Sequence, residues 1–130
     1  GALRTGDVVR LDVDAPQRGS HRRAHSATHL LHAALRRRLG SHVTQKGSYV
    51  GQDYLRFDFS HNKGLSAADI AAIEADVNAQ VLGNRPVSTT LMTPEDAIAA
   101  GAMALFGEKY GEEVRVLAMG AGDDGGSYSV

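Results

Sequence analysis

The run His25-Ser26-Ala27-Thr28-His29 sets two imidazoles four residues apart. On a helix, that spacing separates them by about 40° around the axis, so both rings can turn towards one ion. His32 follows at about −20° on the same scale, on the same side. Ala27, Leu30, Leu31, Ala34 and Leu35 fall between about 140° and 280°, so the histidines face away from the stripe that should meet a core. Two readings stand: half of a metal site, or solvated surface histidines. Zinc needs three or four protein ligands, and this helix offers two without strain. His32 is an awkward third from the same face, while His42 and His61 sit in an expected loop and at an expected strand end. Cysteine is absent, and no Glu follows His25, so thiolate ligands and the His-Glu-x-x-His protease pattern are excluded within these residues.

Two further groups could do chemistry. Gln45-Lys46-Gly47-Ser48 offers an amide, a cation and pliable backbone, suited to a carboxyl or phosphate group, or to nothing more than a turn. Arg36-Arg37-Arg38 could grip phosphates, or could end a helix favourably against its dipole.

These residues need elements to place them. The chain has 130 residues, 42% hydrophobic and 22% charged, which fits one globular domain over 1–130 and excludes a disordered chain. No apolar window reaches about 18 residues, so no helix spans a membrane. The lack of cysteine suits a reducing, cytoplasmic setting. The net charge of −1 conceals a +6 balance over residues 1–46 and −7 over the remainder. Such a basic end could meet a polyanion.

Alternation of Val9, Leu11 and Val13 with Arg10, Asp12 and Asp14 predicts a first strand, and Ala15 to Ser20 a loop. A helix is expected from Arg23 to Leu39, stopped by Gly40. Ser48 to Ser60 reads as a hairpin turning at Gly51-Gln52-Asp53. Ser66 and Asp69 predict a capped second helix, with Ile70, Ile73, Val77 and Val81 as its buried stripe and Gly83 at its end. Val87 to Leu91 predicts a strand, and Thr93-Pro94-Glu95-Asp96 opens a short third helix. A strand at Val114 to Ala118, a loop at Gly120 to Gly126 and a strand from Ser127 complete the pattern. The fold class is α+β, a mainly antiparallel sheet with helices packed on it.

Together, His25-Ser26-Ala27-Thr28-His29-Leu30-Leu31, Gln45-Lys46-Gly47-Ser48, Leu55-Arg56-Phe57-Asp58-Phe59-Ser60-His61 and the run Gly101 to Tyr110 resemble the editing domain of alanyl-tRNA synthetase, over nearly the whole chain. The resemblance implies a deacylase that clears serine or glycine from alanine tRNA. It implies zinc held by His25 and His29 together with a later Cys-x-x-x-His pair. That pair is expected just after Val130, which would make these residues a C-terminally truncated domain. It also implies that Thr28 and Gln45 line the editing pocket, and that the partners are the acceptor end of tRNA(Ala) and the rest of the synthetase. A freestanding editing protein acting in trans is a close variant. A non-catalytic RNA-binding module using Arg22, Arg23 and Arg36 to Arg38 is the competing class.

Overall fold

A computed structural model describes residues 2–103, 111–120 and 127–129. The order is α1 (Ala15–Leu39), β1 (Gln45–Val50), β2 (Leu55–Phe59), α2 (Ala67–Gly83), β3 (Val87–Met92), α3 (Pro94–Ala99), β4 (Val114–Met119) and β5 (Ser127–Ser129). All pairing is antiparallel, in two small sheets, β1-β2 and β3-β4-β5, rather than one. The α+β expectation holds. No helix among the described residues is long and apolar enough to cross a membrane.

The long first helix dominates the site, and it starts earlier than periodicity indicates. Asp14 caps it, accepting from the Gln17 backbone N–H at 2.8 Å, and Pro16 sits in its first turn. A proline there loses no hydrogen bond, because first-turn N–H groups have no partner within the helix. The predicted loop at Ala15 to Ser20 is therefore helix. The predicted first strand is also absent. Leu11 is 88% and Val13 75% exposed, and no described strand pairs with residues 6–14. Alternation marks a strand only where a sheet edge lies alongside.

Gly40 ends α1 as expected. Its φ of 118° belongs to glycine, and a Cβ there would stand 2.9 Å from Nδ1 of His42. The hairpin forms, but β1 begins at Gln45, so Gln45 to Ser48 is strand rather than turn, with an irregular register between Gln45 and Gly47. Ser66 and Asp69 form the predicted reciprocal cap on α2. The helix ends at Gly83, as expected, and a left-handed Asn84 caps it. Of its predicted stripe only Ile73 is buried, while Ile70 and Val81 are 45% and 54% exposed.

Two clusters hold the fold. Ala34, Leu35, Val43 and Ile73 are buried between α1, α2 and the hairpin, with Leu31, Phe57 and Phe59 packed around them. Ala97, Val114 and Val116 join α3 to β4. The backbone of α1 also touches β5. The predicted motif through Ala104 to Tyr110 and the predicted loop at 121–126 lie outside the described residues.

Candidate metal centre

The face of α1 opposite its core contacts carries the histidine pair. Nε2 of His25 and Nε2 of His29 lie 3.3 Å apart, with ring centroids 5.0 Å apart. Tetrahedral zinc with Zn–N bonds of about 2.0–2.1 Å needs two nitrogens roughly 3.3–3.4 Å apart. The separation of the pair therefore matches two corners of such a site. His25 is exposed and His29 half-buried. Burial, and then the neighbouring charges of His25 and His32, push the pKa of His29 below its ordinary value. At neutral pH its imidazole is neutral, the form that ligates metal.

His32 does not join them. Its ring tilts against Phe57 at 5.1 Å between centroids. Burial depresses its pKa, the Val43 backbone carbonyl opposes that as a hydrogen-bond partner, and Arg36 adds to the depression. Its Nε2 is buried without a hydrogen-bond partner among the described residues. The other two histidines form a separate pair, His42 Nε2 lying 2.9 Å from His61 Nδ1. Spacing along the chain could not reveal it, because the two residues are brought together by the hairpin. No cluster of three metal-ligating side chains occurs among the described residues.

Thr28 and Gln45 occupy different surroundings. Thr28 is 4% exposed and its hydroxyl donates to the Ala24 carbonyl at 2.9 Å. Gln45 is half-buried on β1 and its amide nitrogen donates to Ser48 Oγ at 3.1 Å.

The three consecutive arginines are structural. Arg36 donates through Nη1 to the carbonyls of Ser41 and Val43 at 2.7 and 2.8 Å, fastening the turn after α1. Arg37 reaches Asp76 at 2.8 Å and Arg38 reaches Asp69 at 2.9 Å, both on α2. A module that grips RNA with these three would have to break the α1–α2 junction. Their carboxylate partners lie more than thirty residues away, which no local pattern exposes.

No family model matches the chain. It is 71% identical over 130 residues to the alanine–tRNA ligase of Sphingopyxis alaskensis, with all of this chain and 15% of that protein aligned. Against the alanine–tRNA ligases of Rhizorhabdus wittichii and Parvibaculum lavamentivorans the identities are 66% over 133 residues and 61% over 132. The chain is similar throughout to one segment of alanine–tRNA ligase. It spans about 15% of the length of the curated relatives it matches. Within the chain, the described histidines on one helix whose nitrogens meet at a zinc-like separation are His25 and His29.

Proposed function

We propose that the chain is the editing module of an alanine–tRNA ligase, hydrolysing the ester that joins serine or glycine wrongly to tRNA(Ala). The acceptor end of that tRNA and the rest of the ligase are its partners, in the cytoplasm. The observation carrying this reading is the 3.3 Å approach of the His25 and His29 nitrogens on the open side of α1, in a chain so similar to these ligases.

An aminoacyl ester is already activated, so the site must chiefly place a water and stabilise the charge that develops on the carbonyl oxygen. Zinc on His25 and His29 would supply Lewis acidity or a seat for the substrate amine. The residues here prepare that site. Desolvation keeps His29 neutral and able to donate its lone pair. The 25-residue helix, locked by Asp14 at one end and Gly40 at the other, holds the two rings in register. Thr28 anchors the turn between them through Ala24. Gln45 presents an amide from β1, where small adjustments of its bond to Ser48 would let it meet a substrate oxygen.

The test is hydrolysis of seryl-tRNA(Ala) by the full-length ligase carrying this segment. His25→Ala and His29→Ala should each lower the rate on the order of a hundredfold, with alanylation of tRNA retained. Parent rates in both variants would overturn the reading.

A further inference from the structure

Strand β3 lies at the edge of the β3-β4-β5 sheet, and its register with β4 is regular from the Val87–Met119 pair to the Met92–Val114 pair. The Gly120 N–H donates to the Pro86 carbonyl at 3.3 Å, which continues that register by one pair and fixes its parity. Hydrogen-bonded pairs alternate along an antiparallel ladder. The backbone groups of Ser88, Thr90 and Met92 therefore face β4, and those of Val87, Thr89 and Leu91 face outwards. No hydrogen bond to the outward groups occurs among the described residues.

Folded proteins guard such an edge with charge, proline or a bulge. Val87-Ser88-Thr89-Thr90-Leu91-Met92 carries none of these. Val87 and Leu91, whose side chains share one face of the sheet, are 58% and 64% exposed.

We propose that β3 is a self-association edge, pairing antiparallel with β3 of a second copy of this chain about a two-fold axis at Thr89. The segment is its own complement. In that register Val87 lies opposite Leu91 of the second copy, Thr89 opposite Thr89, and Leu91 opposite Val87. Each is a hydrogen-bonded position, so the outward N–H groups of each copy donate to the outward carbonyls of the other. The exposed valine and leucine cover one another twice, and the central Thr–Thr pair is a favourable cross-strand combination. An axis at Ser88 or Thr90 would instead oppose Val87 or Leu91 to Thr89, so the apolar pairs select the register. No side chain of the strand is charged, so nothing in β3 repels its copy. The interface is isologous: it consumes the β3 edge of both copies and stops at two. One strand pair is smaller than a standard interface of about 1,600 Å², so association should be weak, with a Kd on the order of 100 µM.

The test is sedimentation of the 130-residue chain at concentrations spanning that constant, where a monomer–dimer equilibrium is expected. Thr89→Lys and Thr89→Glu each oppose like charges across the axis at an exposed position, and each should weaken dimerisation about fivefold or more. Mixing the two variants should restore it, because the axis then joins Lys to Glu. A variant that had merely lost its fold would not recover. Hydrogen exchange resolves the edge itself. Raising the protein concentration should slow exchange at the Val87, Thr89 and Leu91 amides, and leave Ser88 and Thr90, bonded to β4, unchanged. A chain monomeric throughout, dimers indifferent to both variants, no recovery in the mixture, or assemblies larger than two would overturn the proposal. So would protection of the Thr89 amide in full-length ligase diluted to the monomer, because another part of that polypeptide would then cover the edge.

Discussion

The Thr28 hydroxyl donates to the Ala24 carbonyl at 2.9 Å, one turn back along α1, so the bond runs beside the His25–His29 turn, from the residue before His29 to the residue before His25. This bond uses the only proton the hydroxyl has. With the side chain 4% exposed, a substrate hydroxyl could meet only the lone pairs of its oxygen, and only after the packing around it shifted.

Thr28→Val should therefore act through the histidine turn rather than through the substrate side chain. In the full ligase we expect hydrolysis of seryl- and glycyl-tRNA(Ala) to fall by the same factor, equivalent to about 1 kcal/mol of transition-state stabilisation. Thr28→Ser, which keeps the bond to Ala24, should restore most of it. Rates on both substrates, with zinc content measured alongside, check this. A loss confined to the seryl substrate would instead make Thr28 a reader of the serine hydroxyl.

Arg36→Ala should destabilise the chain by about 2 kcal/mol. It removes charge-assisted hydrogen bonds to two backbone carbonyls, those of Ser41 and Val43, in the turn that carries the chain from α1 to β1. Arg22→Ala, on an exposed position of the same helix, should stay within about 0.5 kcal/mol of the parent. Urea unfolding monitored by circular dichroism distinguishes the two. Equal effects would mean that the arginine-rich end of α1 is not fastened as described.

The sequence shows those features whose cause is local. The reciprocal Ser66–Asp69 cap, the Thr93-Pro94 helix start and the Leu55-Arg56-Phe57 alternation each depend on residues within a few positions, and each appears where expected. Features decided by distant partners were hidden. Val9, Leu11 and Val13 alternate like a strand, yet no described edge receives them. Arg37 and Arg38 look like solvated charge until Asp76 and Asp69 arrive from α2. Asp14 and Pro16 did carry a legible helix start, but it was overshadowed by the strand pattern before it. In the candidate site, the helical spacing of His25 and His29 predicted their convergence, whereas the meeting of His42 and His61 depends on a hairpin nineteen residues long in its reach.

Acid should loosen the α1–α2 junction through Asp69. Hydrogen bonds from the Ser66 hydroxyl, from Arg38 and from the Ser66 backbone N–H hold its carboxyl below the ordinary value of 3.8. A carboxyl with a lowered native pKa contributes stability that is fully present above its unfolded value, and that is lost as pH falls through the native one. The parent chain should therefore exceed Asp69→Asn in melting temperature by a constant margin above about pH 5, and the margin should close below about pH 4. Thermal melts across that range are the check. A margin that persisted to the lowest pH would show that Asp69 acts by packing rather than by charge.

Zinc should bind these 130 residues weakly. Structural zinc sites reach apparent binding free energies of about 10–16 kcal/mol with a full set of ligands, several of them thiolates. Here two imidazoles converge, and no third ligating side chain joins them among the described residues. An equimolar chelator should therefore strip zinc from the isolated chain at neutral pH, and cobalt should give only a weak tetrahedral absorption band. In the full-length ligase carrying this segment, zinc should be stoichiometric and should disappear in His29→Ala. Metal analysis after dialysis measures both. Stoichiometric zinc that survives the chelator in the monomeric 130-residue chain would show that these residues complete a site by themselves, with ligands drawn from outside the pair.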